Sequence, residues 1–194
     1  GVDISCSNSA PIYVKSAKNT IITLADNSEN YLSDGSEYLY EELNDDGTVT
    51  DEPSACIFSK DDLTINGNGT LNVVGNYNNG IASKDDLKIT AGTVNVTAVN
   101  NGLKGKDSIT IKGGEITVNS TGDGVKSDNT EDTTKGYIII EGGSLNITSG
   151  GDGIQAETTL TISDGDINIV SGGGSSNVAT HAESFQMGPW ANPS

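Results

Sequence analysis

Arginine is absent from this 194-residue chain: all ten basic residues are lysine, against 27 Asp and Glu, for a formal net charge of −17. Nucleic acid and anionic membrane surfaces are recognised through basic patches, so both are poor partners for this surface, and no nucleic-acid partner is expected. Histidine occurs once, at His181 near the C-terminus, and no Ser-His-Asp or Cys-His constellation can be assembled around it. Only Cys6 and Cys56 carry thiols, with no CxxC pair. Two cysteines cannot form a dense disulfide framework, and one disulfide or two buried thiols both remain open. No apolar run is long enough to span a membrane, and no segment has the 3.6-residue period of an amphipathic helix. Insertion into a membrane is therefore not expected. Gly1 opens almost directly on a strand-like Val2-Asp3-Ile4, which reads as a mature or trimmed chain with no signal peptide.

What the chain does have is glycine, 25 of them, and short β-branched or leucine-rich runs. That composition suits many short strands joined by Gly and Asn turns. The runs repeat. Gly80-Ile81-Ala82-Ser83-Lys84-Asp85-Asp86-Leu87-Lys88-Ile89 is preceded by Cys56-Ile57-Phe58-Ser59-Lys60-Asp61-Asp62-Leu63-Thr64-Ile65 and followed by Gly102-Leu103-Lys104-Gly105-Lys106-Asp107-Ser108-Ile109-Thr110-Ile111. Shorter echoes start at Gly124 and Gly153. Ile57 to Ile81 is 24 residues, then 22, 22 and 29 residues lead to Leu103, Val125 and Ile154. The longest interval contains the polar loop 128–136.

A period near 22 residues marks a solenoid. Inward columns follow: Ile57, Ile81, Leu103, Val125 and Ile154; Leu63, Leu87, Ile109, Ile138 and Leu160; Ile65, Ile89, Ile111, Ile140 and Ile162. A second strand after each Gly adds Leu71, Val94, Ile116, Leu145 and Ile167, then Val73, Val96, Val118, Ile147 and Ile169. Period-2 alternation puts each set on one face. One coil cannot bury such a face alone, whereas stacking coils roughly 4.8 Å apart buries it continuously. The expected fold is a right-handed, single-stranded parallel β-helix forming one domain, and a monomer. The leucine-rich repeat, its competitor, requires a signature that is missing. Residues 1–24 read as an irregular N-terminal coil, in which Ile22-Thr23-Leu24 is expected to match Leu63-Thr64-Ile65. Residues 25–54 read as an acidic excursion, 55–174 as the regular coils and 175–194 as a cap or tail.

Function is expected on the outward columns. Asp61, Asp85 and Asp107 should stack on consecutive coils, where like charges repel unless compensated. Two readings are balanced. Lys60, Lys84 and Lys106 compensate them, or Ca2+ sits between coils on carboxylates and turn carbonyls. Asp123 and Asp152, in Gly-Asp-Gly turns, are further candidate ligands, and Asp128 in the loop another. Tyr13 and Phe58 should stack as an exposed aromatic pair able to meet sugar rings, unless the 25–54 segment covers them. Lys84, Lys104 and Lys126 are the cationic candidates for contact with a glycan. Outward Asn72, Asn95, Asn146 and Asn168 read as an amide ladder that supports stacked strands and needs no ligand.

The SKDDLxI rungs, GxLxV second strands and GDGI turns of residues 10–174 together resemble extracellular bacterial β-helix carbohydrate-binding proteins. That family binds cellulose and polygalacturonate and is related in fold to family 9 pectate lyases. The resemblance implies secretion or display at the cell surface, bound Ca2+ and a polysaccharide partner. It also implies what a lyase would use here: Asp61, Asp85 and Asp86 as the calcium cluster, and Lys104 or Lys126 as the base. No arginine exists to clamp a substrate carboxylate, which weighs against catalysis. The expected function is a non-catalytic, calcium-binding carbohydrate-binding protein; a calcium-dependent pectate lyase and a structural or adhesive surface solenoid are the alternatives.

Overall fold

The computed structural model describes residues 1–39, 43 and 47–173, and the expected C-terminal cap or tail lies outside them. The described residues form nineteen strands. The early ones are β1 (Asp3–Cys6), β2 (Ile12–Val14), β3 (Asn19–Leu24), β4 (Glu29–Asp34), β5 (Ala55–Ser59), β6 (Asp62–Gly67) and β7 (Thr70–Gly75). The middle ones are β8 (Asn79–Ser83), β9 (Asp86–Ile89), β10 (Thr93–Ala98), β11 (Leu103–Gly105), β12 (Ser108–Ile111) and β13 (Glu115–Ser120). The last are β14 (Val125–Ser127), β15 (Tyr137–Ile140), β16 (Ser144–Ser149), β17 (Ile154–Ala156), β18 (Leu160–Ile162) and β19 (Asp166–Ser171).

Every third strand joins the same sheet. The first sheet runs β1-β4-β7-β10-β13-β16-β19, the second β2-β5-β8-β11-β14-β17 and the third β3-β6-β9-β12-β15-β18. The named strands pair in parallel throughout, which is the arrangement of a parallel β-helix. Register follows the apolar columns: Ile81 opposes Ile57 and Leu103, Leu87 opposes Leu63 and Ile109, and Val96 opposes Val73 and Val118. These side chains fill one continuous core with almost no exposure. One corner of the coils after the first turns on a glycine, and in the first coil Asn27 takes the positive φ there. Gly92 and Gly114 have φ of 97° and 99°, and a Cβ on Gly114 would stand 2.6 Å from the Gly92 carbonyl oxygen. Only glycine accepts that backbone and that approach.

Two expectations are corrected. Ile22 opposes Ile65, and Thr20 stands where Leu63 needs a partner, so the first coil is shifted by two residues from the expected match. A shift of two keeps every side chain on its face, so alternation alone could not distinguish the registers. The acidic segment 25–54 also does not leave the stack as a unit. Its residues Glu29–Asp34 are β4, paired with β1 and β7. Asn30 opposes Leu71, where the later coils carry an apolar residue, and donates its amide hydrogen to the Thr70 carbonyl at 2.8 Å. That polar residue, satisfied in place, hides the strand from a hydrophobic pattern. The chain departs from the stack only after Asp34.

Leu87 is fully buried in the middle of its column. Leu87→Ala should lower unfolding stability by about 2–5 kcal/mol, through lost transfer energy and the cavity left behind. Denaturant titration measures this, and an unchanged midpoint would contradict a continuous core at that level.

Candidate functional site

A cleft of about 220 Å³ lies on the outer face of the second sheet. Its floor is built from successive outward positions of β5, β8 and β11: Phe58, Ala82 and Lys104. Lys84, Lys106 and Asp128, with Asp51, Glu52 and Ser54 from the segment before β5, complete its lining. Parallel stacking makes this possible, because a residue type repeated once per coil becomes a row up the sheet.

Glu52 is the centre of the cleft's electrostatics. Lys60 Nζ approaches one of its oxygens at 3.0 Å and Lys84 Nζ the other at 2.7 Å. The two lysines come from consecutive coils. Burial of the Glu52 carboxyl opposes its ionisation, yet the hydrogen bonds from Lys84 and Lys60 outweigh this and hold it below its ordinary value of 4.5. Beside it, Lys104 pairs with Asp128 at 2.8 Å and Lys106 with Glu131 at 3.3 Å. Lys126, one coil beyond Lys104, pairs with Asp123 at 2.8 Å. Lysines are thus drawn together on one face of a molecule whose net charge is −17.

The aromatic expectation is half corrected. Tyr13 and Phe58 do meet, edge to face, with centroids 5.7 Å apart and planes at 66°. Phe58 is only 2% exposed, packed with Ala55 and Ala82, and Tyr13 is half-buried. The pair is a small second core beneath the 51–55 segment and offers no open ring face at Phe58.

The candidate metal ligands are mostly engaged. Asp61 accepts the Ala17 N–H at 2.7 Å, and Asp86 accepts the Ser108 hydroxyl at 2.7 Å. Asp107 accepts from Lys135 at 2.6 Å and from the Asn129 amide at 2.5 Å. Asp123 and Asp152 belong to a corner ladder with Asn79 and Asn101. In it each side-chain oxygen accepts the backbone N–H one coil on: Asn101 to Asn79, Asp123 to Asn101 at 3.0 Å, Asp152 to Asp123 at 2.8 Å. Asp85 differs: burial first, then the nearby Asp107 and Asp62, push its carboxyl above the ordinary range. Among the described residues, no three His, Cys, Asp or Glu side chains converge to hold a metal ion. The lysines expected to neutralise the Asp column mostly serve elsewhere, Lys60 and Lys84 at Glu52 and Lys106 at Glu131. Cys6 and Cys56 are free thiols, and burial pushes that of Cys56 up to about 12.

A family model described as "Carbohydrate-binding domain-containing protein" matches residues 1–188. A protein of that description from Acetivibrio thermocellus is 50% identical over 173 residues, which is 89% of this chain and 59% of the relative. This chain therefore belongs to the carbohydrate-binding domain-containing proteins. It spans about three-fifths of the length of the curated relative it matches. A solved structure, the gadolinium derivative of the polysaccharide lyase-like protein from C. thermocellum, aligns with a TM-score of 0.83 at 45% identity. The alignment covers 90% of this chain and 68% of that one.

Glu52 has a depressed folded-state pKa, so the stability it contributes is present above about pH 4.5 and is lost as pH falls through the lower folded value. Glu52→Gln should flatten this acid limb while leaving the curve near neutrality displaced downward. Melting temperature followed across the acid range measures it, and identical acid limbs would show that Glu52 is not held as an ion by the lysines.

Proposed function

We propose that this chain is a non-catalytic domain that binds plant cell-wall polysaccharide, with polygalacturonate taken at the lysine cleft of the second sheet. The observation that supports this most is the grip on Glu52. Lysines on consecutive coils hold both oxygens of one carboxylate, at 3.0 and 2.7 Å. A uronate carboxylate is the same chemical group. Coils repeat every 4.8 Å or so, so a polymer running up the sheet meets Lys60, Lys84 and Lys106 in succession. Such charge-assisted contacts are stronger than neutral ones. They also offset locally the repulsion that a surface of net charge −17 exerts on a polyanion.

Binding rather than cleavage is the reading, because the two lysines considered as bases are both committed. Lys104 lies against Asp128 and Lys126 against Asp123, each at 2.8 Å. The chain also has no arginine for a bidentate clamp on the substrate carboxylate. A secreted or cell-surface location belongs to the same proposal, since the polymer lies outside the cell.

Calcium enters as a shared ion. Ca2+ prefers six to eight oxygen ligands, and a uronate carboxylate is an oxygen ligand that the glycan itself brings. Asp85, next to Lys84 and raised by burial and by the crowding of Asp107 and Asp62, is a carboxylate whose charged form a nearby cation would favour. The uronate and water complete the shell.

Affinity electrophoresis in polygalacturonate tests the cleft. Lys84→Ala and Lys104→Ala should each weaken retention by about fivefold, the scale of one partly exposed charge pair. Glu52→Gln, which withdraws the protein's own carboxylate, should strengthen it. Incubation with the polymer should yield no unsaturated product absorbing near-ultraviolet light. Chelator should remove most of the retention while moving the melting temperature little. Retention indifferent to both lysines would overturn the cleft, and retention indifferent to chelator would overturn the shared ion.

A further inference from the structure

We infer that Tyr77 is the floor of a second binding site, one that stacks the flat face of a neutral pyranose ring. The inference rests on the polysaccharide-binding reading above but not on the lysine cleft. Tyr77 interrupts an otherwise regular turn. Passing from the first sheet to the second takes seven steps from Val96 to Leu103, from Val118 to Val125 and from Ile147 to Ile154, but eight from Val73 to Ile81. The extra position falls in Asn76-Tyr77-Asn78. An inserted residue at the rim of a solenoid projects from it, and here the turn that carries the extra position also carries an aromatic, 41% exposed.

The ring does not wave freely. Tyr38, from the segment after β4, stacks on it at 4.0 Å with planes 15° apart. Tyr38 is itself fixed, because its hydroxyl donates to the buried carboxylate of Asp34 at 2.7 Å and also reaches the Ala55 carbonyl at 3.1 Å. Asp34 accepts the Asn76 N–H as well, closing the support under the turn. At Asn78, the next residue along the turn, the side chain accepts from the Asn100 amide at 2.7 Å, which sets two amide side chains in a row along the rim.

A pre-set aromatic beside amides suits one ligand chemistry. An all-equatorial hexose presents axial C–H bonds to an aromatic face and hydroxyls to neighbouring amides. A fixed ring binds without a further ordering cost. None of Asn76, Tyr77, Asn78 and Asn100 is charged, so the site selects neutral over acidic sugars, the opposite of the lysine cleft.

Insoluble cellulose and polygalacturonate, each tested with the same variants, separate the two sites. Tyr77→Ala should weaken retention on cellulose about five- to tenfold, the scale of one aromatic contact, and leave retention on polygalacturonate unchanged. Tyr77→Phe keeps the ring and should behave as the wild type. Lys84→Ala should show the reverse pattern. Should Tyr77→Ala fold poorly, Asn100→Ala, outside the Tyr38 stack, together with tyrosine ultraviolet difference spectra of the wild type on adding a soluble cello-oligosaccharide, decides. A tyrosine perturbation and weaker cellulose retention by Asn100→Ala support the site. Wild-type protein that ignores cellulose but binds polygalacturonate overturns this inference and leaves the cleft standing. Failure of both polymers overturns the wider reading, and equal cellulose retention by a well-folded Tyr77→Ala overturns Tyr77 alone.

Discussion

Stacking one coil on the next is the interaction on which everything else depends. Each inward aliphatic is buried only because the coils above and below supply its neighbours, and each strand's hydrogen bonds run to those same coils. Isoleucine, leucine and valine recur at five inward positions because a polar group there must find a hydrogen-bond partner in place, as the Asn30 amide does at the Thr70 carbonyl. The glycine corners at Gly92 and Gly114 serve the same constraint, letting the turns close at a spacing that a Cβ would prevent.

Stacking also dictates what the surface can be. An outward residue type that recurs once per coil stands a few ångströms from its copy, so its chemistry is amplified into a row. Repeated Asn and Asp side chains gain from this: in the Asn79-Asn101-Asp123-Asp152 corner the N–H groups of Asn101, Asp123 and Asp152 each donate to the side chain of the previous coil. Repeated charges lose, and the chain answers by crossing columns. Lys60 and Lys84 meet at Glu52, Lys104 reaches Asp128, and Lys135 comes from a loop to Asp107. The cleft is a by-product of that solution, because the segment that delivers Glu52 also lines it.

The periodic part of the molecule was legible in the sequence and the rest was not, for one physical reason. Columns such as Leu63-Leu87-Ile109 repeat, so spacing alone reveals their contacts. The Ile22 register was missed because two registers bury the same faces, and β4 was missed because Asn30 satisfies its amide in an inward position. Glu52 was invisible as a site residue. Its partners Lys60 and Lys84 lie 8 and 32 residues further along the chain, and no repeat announces a loop closure. For Phe58 both an open and a covered ring were readable, and the structure takes the covered one, because residues of the aperiodic segment before β5 lie beside it. Tyr77 did leave a trace, in the 24-residue interval between Ile57 and Ile81, but its stacking partner Tyr38 belongs to a stretch with no period to read.

The central claim is that a carboxylated sugar takes the place the protein reserves for its own carboxylate. A crystal soaked with a short oligogalacturonide tests this most directly. The account predicts sugar density along the second sheet, with a uronate carboxylate at Lys84 and its neighbours and the Glu52 side chain displaced from between Lys60 and Lys84. Density confined to another face, with Glu52 still held by both lysines, would contradict it.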